Sequence, residues 1–294
     1  PRQENMRLLG YAHLHHHLRL SAIEPAQPAR LASVTRVTAT PDALLVPAQV
    51  APETDDPLAH LLFALKHEGI NLPILAQALR ATPGIRIIEA VRAAPSGVYA
   101  RIAGFLWEAF NDSRLDDLPT LAGPTVDLFD PKRYITGPAV RDARWRVNFN
   151  GLGSLVYCVT VERTAEIAAL LASDILARAD EFLQRLAPAA AERAMSWAYL
   201  HETESSFAIE REKPSARKSE AFVELLRQAH QISALSEDDL VALQNATITN
   251  PFDQAGAYRH QQNWLRGPLR GASGVTYVPP PPEWVSPLMD GLLN

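Results

Sequence analysis

Four histidines lie close together near the start of the sequence, at positions 13, 15, 16 and 17. On a helix, His13 and His17 are four residues apart and share one face, a spacing at which two imidazoles can bind one metal ion. No Asp, Glu or Cys supplies a third ligand at a spacing that can be read from the sequence. We therefore expect a solvated histidine face and predict no metal site.

A second stretch, NGLGSLV, offers Gly151 and Gly153, which match the first two glycines of a dinucleotide-binding fingerprint. The third glycine position holds Val156 instead, and the residues that follow are β-like rather than helical. The pattern therefore favours a kinked strand or a bulge over a nucleotide site.

Ser206 and Glu210 are four residues apart in the segment TESSFAIERE, directly after a predicted helix and before Pro214. At this spacing the two side chains share one helical face. A Ser–Glu pair of this kind is also common at an exposed helix end, so the pair alone indicates no function.

The segment GVTYVPPPPEWVSPLMDGLLN combines three different patterns. Val275, Tyr277 and Val278 predict a short strand that leads into four prolines. The prolines at 279–282 fix φ and lack N–H donors, so they predict a rigid spacer. The apolar residues beyond them recur at helical spacing and predict an amphipathic helix that needs a partner: Trp284, Val285, Leu288, Met289 and Leu292. A solvated tail and a proline-rich ligand segment are the alternatives.

Composition places the chain among ordinary globular proteins. Its 294 residues are 47% hydrophobic and 21% charged, enough for one large or two smaller cores. A net charge of −5 provides no general attraction to nucleic acid or anionic membranes. The single cysteine, Cys158, cannot form an internal disulfide, and we expect it to be a buried thiol. With no apolar run of about 20 residues and no signal-peptide pattern, we expect a cytoplasmic protein.

Hydrophobic periodicity predicts a mainly α (α+β) fold in two domains. The first domain, residues 1–164, combines helices with a small β hairpin near residues 31–50. The second domain, residues 165–294, is typical of consecutive helices. Two helix starts are well marked: Asp56 precedes Pro57 as an N-cap, and Ser236 precedes an acidic first turn.

The order of several segments adds a family resemblance. SSFAIERE, YRHQQNWLRG and GVTYVPPPPEWVSPLMDGL, in that order, resemble the region before the catalytic loop of Fic (filamentation-induced-by-cAMP) proteins. Upstream, DDPLAHLLFALKHEGINL, VYARIAGFLWEAF and RWRVNFNGLGSLVYCVTVERT resemble the long N-terminal extension of one bacterial branch of that family. The resemblance covers most of the chain. It implies that the second domain is a helical bundle of Fic type, incomplete at its C-terminus.

The resemblance also implies roles for individual residues. In Fic proteins an inhibitory helix carries Ser/Thr-x-x-x-Glu-Gly/Asn, which Ser206 and Glu210 match, with Arg211 in place of Gly or Asn. By resemblance, Glu210 pairs bidentately with an arginine of the catalytic loop and occupies the donors that should hold the γ-phosphate of ATP. The segment VTYV resembles the Fic flap. Its Thr276, Tyr277 and Val278 would bind a target segment by main-chain hydrogen bonds.

The implied activity of the complete enzyme is transfer of AMP from ATP to protein hydroxyls, with ATP and Mg²⁺ as cofactors. The catalytic His-Pro-Phe loop would follow the flap helix, and the sequence given ends at Asn294 before such a loop. We therefore expect the regulatory and target-binding portion of an adenylyltransferase, with no catalytic or metal-binding residue and no transfer activity on its own. Its expected partner is a protein substrate, and a homodimer is left open.

Two other classes of function are alternatives to the adenylyltransferase portion. The first is a non-catalytic, antitoxin-like or protein-interaction module that offers Glu210 to a separate catalytic chain. The second is nucleic-acid binding through the hairpin near residues 31–50. Only scattered arginines support the second class, so we expect no nucleic-acid partner.

Overall fold

The computed structural model describes residues 7–155, 157–209, 215–228, 235–248, 252 and 254–293. The fold is mainly helical with small sheets, which confirms the predicted mainly α (α+β) class. The chain divides into two compact units, Pro1–Arg163 and Thr164–Asn294. We call them the N-terminal unit and the C-terminal unit. Among the described residues, no helix has both the length and the apolar composition that a bilayer crossing requires.

Helices form most of the N-terminal unit. In its described part they are α1 Gly10–Leu18, α2 Pro57–His67, α3 Leu72–Arg80, α4 Gly84–Ala93 and α5 Val98–Asn111. Asp56 caps α2 by accepting a hydrogen bond from the Ala59 N–H at 3.3 Å, which confirms the predicted helix start. A left-handed Gly69, with φ of 92°, lies between α2 and α3. Asn71 caps α3 through its side-chain oxygen.

Strands of the N-terminal unit form three small sheets. They are β1 Ala29–Leu31, β2 Thr38–Ala39, β3 Leu44–Val46, β4 Val126–Asp127, β5 Val140–Asp142, β6 Val147–Phe149, β7 Leu152–Gly153 and β8 Cys158–Val159. The sheet orders are β1-β3-β2, β4-β6-β5 and β7-β8. In the first sheet β2 and β3 are antiparallel, which confirms the predicted hairpin, and β1 joins β3 in parallel.

The glycine-rich stretch forms the hairpin of β7 and β8. Gly153 has a φ of 96°, a conformation that favours glycine, and it pairs with Cys158 across the hairpin. Val156, the third fingerprint position, lies outside the described residues. Cys158 is half-buried rather than fully buried as expected, and burial raises the pKa of its thiol.

A single tryptophan connects α5 to the second sheet. Trp145 is fully buried and lies against Gly104 of α5, where any Cβ would overlap the indole ring. Its indole N–H donates to Glu108 Oε2 at 2.8 Å, and Glu108 also pairs with Arg144 at 3.0 Å. Because a tryptophan buries a large apolar area, this contact is central to the core of the unit.

The C-terminal unit consists of helices and one hairpin. In its described part the helices are α6 Ala165–Ala172, α7 Ile175–Gln184, α8 Pro188–Ile209, α9 Ala216–Gln228, α10 Glu237–Thr247 and α11 Val285–Leu293, and the strands are β9 Leu265–Arg266 and β10 Val275–Tyr277. Ser236 starts α10 with a capping box in which Asp239 is the second partner, so this predicted start is also confirmed.

Few side chains of the C-terminal unit are buried. Among its described residues, only Thr203, Phe207 and Gly274 are buried. Phe207 of α8 meets Phe222 of α9 with ring centroids 5.6 Å apart. Several large apolar side chains of this unit are exposed: Leu176, Phe182, Trp197, Ile209, Trp264, Leu265 and Trp284. An apolar surface of this extent is typical of a region that another polypeptide covers.

Candidate functional site

The candidate site is the hairpin of β9 and β10 in the C-terminal unit. The two strands are antiparallel, with Val275 opposite Arg266 and Tyr277 opposite Leu265, and the register shifts between the two pairs as in a β-bulge. A hydrogen bond of 2.8 Å from the Gly267 N–H to the Gly274 carbonyl closes the connecting loop. The predicted strand thus forms, and it belongs to a two-stranded hairpin.

The flap residues predicted from sequence lie together at the end of this hairpin. Thr276, Tyr277 and Val278 are all exposed, and the last two expose 54% and 61% of their area. In the part of the chain that is described, β10 pairs only with β9. The other side of β10 is therefore a free edge, whose N–H and C=O groups can pair with an added strand.

Side-chain donors fix the proline spacer that follows the hairpin. Gln262 Nε2 donates to the Pro279 carbonyl at 3.1 Å, and Arg259 Nη2 donates to the Pro280 carbonyl. Pro281 has φ of −56° and ψ of 150°, close to polyproline II values. Prolines lack N–H groups but keep their carbonyls, so these bonds hold the spacer against the segment that precedes β9. Sequence reasoning did not assign this role to Arg259 or Gln262.

Helix α10 anchors the same segment from two sides. The side-chain amide of Asn245 donates to the Ala255 carbonyl and accepts from its N–H, both at 2.8 Å. At the other end of α10, Glu237 Oε1 accepts from the Tyr258 N–H at 2.6 Å. The hairpin is therefore connected to a helix with a well-formed cap.

Ser206, the first residue of the predicted inhibitory pair, lies in the last turn of α8 and is half-buried. Its Oγ donates to Glu202 Oε1 at 3.4 Å, one turn earlier. Phe207 and Thr203, beside it, are buried, so this end of α8 packs on its neighbour. Glu210 and Arg211 lie outside the described residues, and the predicted Ser206–Glu210 relationship stays a prediction.

A groove runs between α8 and α9. Its volume is about 610 Å³, and it is lined by Ser196, Leu200, Ala216, Ser219, Glu220, Val223, Glu224 and Arg227. Arg227 Nη2 donates to Ser196 Oγ at 3.4 Å across the groove. The lining mixes polar, charged and apolar groups. The sequence analysis singled out neither Arg227 nor Ser196.

The histidine cluster near the N-terminus has partners that sequence reasoning missed. His13, Asp55 and His60 place one potential ligand atom each within 4.8 Å of one another. The rings of His13 and His60 stack with centroids 3.7 Å apart, and His17 stacks on His13 at 5.2 Å. Asp55 is more than 40 residues from His13 in sequence, so no local spacing could reveal it.

The hydrogen bonds of His60 do not fit a metal ligand. Its Nδ1 accepts from the Gly10 N–H at 3.0 Å and its Nε2 lies 3.1 Å from the Thr54 carbonyl, so the ring is neutral with both nitrogens occupied. Burial and the neighbouring His13 lower the pKa of His60 to about 4. Asp55 is paired with Arg7 at 2.9 Å. We therefore interpret the cluster as structural.

Comparison of the chain with family models, with curated proteins and with solved structures gives no match.

Proposed function

We propose that the chain is the regulatory and target-binding portion of a Fic-family protein adenylyltransferase. The observation that carries the proposal is the exposed hairpin of β9 and β10, followed directly by a braced proline spacer. A protein substrate, bound as an added strand, is the partner that such an edge fits. The cytoplasm is the compartment we propose for this activity.

The geometry of β10 supports strand addition. A free edge offers main-chain hydrogen bonds of any sequence, while the exposed Tyr277 and Val278 side chains offer apolar contacts that select among targets. Since α10 and the spacer hold both ends of the hairpin, little ordering would be needed on binding. Binding to an ordered edge costs less conformational entropy than binding to a flexible loop.

The regulatory part of the proposal concerns the end of α8. Glu210 would pair with an arginine of the catalytic loop and displace the γ-phosphate of ATP into an unproductive position. The half-buried Ser206 and the packed Thr203 and Phe207 support an ordered helix end that leads to Glu210. Arg211 follows in place of the Gly or Asn of the family motif.

ATP and Mg²⁺ are proposed only for the complete enzyme. In the described residues of the C-terminal unit, no three His, Cys, Asp or Glu ligand atoms lie close enough to hold a metal ion. By resemblance, the acidic Mg²⁺ ligand and the phosphate-binding groups belong to the catalytic loop, so we derive no catalytic step from the residues described.

A non-catalytic interaction module remains the second candidate. The exposed apolar side chains of the C-terminal unit favour it as much as they favour an enzyme fragment, because either a further domain or a separate chain could cover them. In that case Glu210 would be offered to a catalytic chain in trans, as in an antitoxin.

The test uses the complete gene product and a labelled ATP that carries its label on the α-phosphate. We expect label transfer to a protein target. We expect Tyr277→Ala combined with Val278→Ala to lower this transfer about tenfold or more, since aromatic anchors that become buried commonly contribute over 1 kcal/mol to binding.

Leu269→Ala is the matched control, because Leu269 is similarly exposed but lies in the hairpin loop. An equal loss of label transfer in the double variant and in Leu269→Ala would contradict a target-binding role for Tyr277 and Val278. No transfer by the complete product would overturn the enzyme proposal.

A further inference from the structure

The N-terminal unit contains a cavity that the proposed function does not use. Its volume is about 660 Å³, within the range of small-molecule sites. It opens where α2 meets α3, and its polar lining includes Tyr11, Glu68, Asn71, Arg133, Tyr134 and Glu162. Apolar side chains from the first sheet and the loop before it complete the wall, among them Pro25, Ala39 and Leu44.

Glu68 is the one acidic group of this lining without a cationic partner. Its Oε1 accepts a hydrogen bond from the Tyr11 N–H at 2.9 Å, and no ion pair forms with it in the described structure. Its Oε2 has no hydrogen-bond partner among the described residues, and this atom is still accessible to solvent. Burial raises the pKa of Glu68 to about 7. The hydrogen bond from the Tyr11 N–H and the positive charge of Arg133 offset this rise only in part.

Two glycines let this carboxyl approach the backbone. Gly10 has a φ of 53°, and a Cβ there would overlap Glu68 Oε1. Gly69 has a φ of 92°, and a Cβ there would overlap Tyr134 and Arg133. These positions allow an acid, a tyrosine and an arginine to converge on one cavity, an arrangement that larger residues would prevent.

The remaining charged and titratable groups around Glu68 are already balanced. Arg133 pairs with Glu162 at 3.0 Å and lies 5.3 Å from the centre of the Tyr134 ring. Burial lowers the pKa of His67. With Arg133 paired to Glu162, an ionised Glu68 gives the two acidic groups and the guanidinium of the lining one net negative charge.

Of the two tyrosine hydroxyls in the lining, only that of Tyr11 has its proton committed to another acceptor. The Tyr11 hydroxyl donates to the Gly69 carbonyl at 2.6 Å, and the Tyr134 hydroxyl accepts from the Ile70 N–H at 2.9 Å. Glu68 Oε2 has no hydrogen-bond partner among the described residues, so it can accept a hydrogen bond from a bound ligand. A multivalent metal ion is disfavoured, since only one carboxylate is free and Arg133 lies nearby.

We propose that this cavity binds a small aliphatic cation, with a primary ammonium or guanidinium group on Glu68 and the aliphatic part against the apolar wall. The bound cation neutralises the net negative charge of the lining and donates a hydrogen bond to Glu68 Oε2 at once. The inference concerns the N-terminal unit and does not depend on the adenylyltransferase proposal.

The test is calorimetric titration of the full chain with pentylammonium, 1-pentanol and pentanoate, three probes of similar shape and different charge. We expect pentylammonium to bind the wild-type chain in the millimolar range or better, and 1-pentanol and pentanoate at least about tenfold more weakly. Glu68→Gln should weaken pentylammonium binding about tenfold or more. Glu89→Gln, which removes an exposed carboxylate outside the cavity, should leave the affinity unchanged.

Proton release gives a second readout in the wild-type chain. Binding of the cation requires ionised Glu68, so the affinity should rise about tenfold per pH unit up to pH 7 and then level off. Near pH 6, close to one proton should be released for each amine bound. The proposal is overturned by equal binding of the amine and the alcohol, by unchanged affinity in Glu68→Gln, by absence of proton release, or by no saturable binding in the millimolar range.

Discussion

The side-chain amide of Asn245 and the backbone of Ala255 form two reciprocal hydrogen bonds, each of 2.8 Å. The side-chain amide of Asn245 thus bonds both the N–H and the carbonyl of Ala255, in the segment that leads to the hairpin. Because both groups are half-buried, losing them leaves two backbone groups without partners. This relationship explains how α10 positions a hairpin that has little core of its own.

We expect Asn245→Ala to loosen residues 254–262 without unfolding α10. The loss of two partly buried hydrogen bonds should cost about 1–3 kcal/mol of local stability. Hydrogen exchange of the backbone amides in 254–262 measures this directly, and exchange should become about tenfold faster or more. Asn263→Ala, an amide truncation in an exposed residue nearby, should leave the exchange unchanged. Equal exchange in the two variants would show that Asn245 is not an anchor.

The contact between Gly104 and Trp145 predicts a large stability effect. In Gly104→Ala, the new methyl group overlaps a fully buried indole ring, and relief requires movement of Trp145 or of α5. We expect a loss of about 2–4 kcal/mol in the free energy of unfolding, measured by urea denaturation of the N-terminal unit's transition.

Ser113→Ala provides the comparison within the same unit, because Ser113 is exposed just beyond α5 and keeps its backbone hydrogen bond to the Glu108 carbonyl. Its effect should stay within about 0.5 kcal/mol. A similar, small effect for both substitutions would mean that Trp145 and α5 are not packed as described.

Glu68 should make the chain less stable as the pH rises. Its pKa is about 7 in the folded state against 4.5 as the ordinary value, so the folded state binds the proton more tightly. The stabilisation is complete below about pH 4.5 and is lost as the pH rises through 7. The difference between the two pKa values corresponds to at most about 3 kcal/mol.

Glu68→Gln removes this pH dependence, because the amide resembles the protonated acid. Compared with wild type, the variant should gain stability between pH 5 and pH 8 by up to about 3 kcal/mol, measured by urea denaturation. Glu89→Gln should follow the wild-type profile. A constant difference between Glu68→Gln and wild type over this range would refute the buried acid.

His60 should produce the opposite pH dependence. Its folded-state pKa of about 4 lies below the ordinary 6.5, so its contribution is complete above pH 6.5 and is lost as the pH falls toward 4. In His60→Gln this acid-sensitive component should disappear, which thermal unfolding between pH 7 and pH 4 can follow. The exposed His16 is the control position, and His16→Gln should keep the wild-type acid sensitivity.

Local sequence signals predicted much of the secondary structure. The cap at Asp56 and the capping box at Ser236 were recognisable because a cap involves residues three positions apart. The hairpin of β2 and β3 was likewise marked by its turn. Sequence reasoning marked where α2 begins, at Asp56, but did not mark the break at Gly69 that separates α2 from α3.

Part of the candidate site could also be predicted. Val275 and Tyr277 formed the strand expected from their pattern, and the prolines at 279–281 form the expected spacer. Pro282, predicted as part of the spacer, instead begins a 3₁₀-helix, Pro282–Trp284. The donors that hold that spacer, Arg259 and Gln262, were not predictable, because they lie about 20 residues from the carbonyls they bind.

By itself, then, the sequence determined the capped starts of α2 and α10, the hairpin of β2 and β3 and most of the proline spacer, all of which depend on neighbouring residues in the chain. Only the tertiary structure decided which distant groups meet: His60 with His13 and Glu68 with the first turn of α1. The physical reason is that burial and the resulting pKa values depend on the surroundings of a side chain in space, which spacing along the chain does not encode.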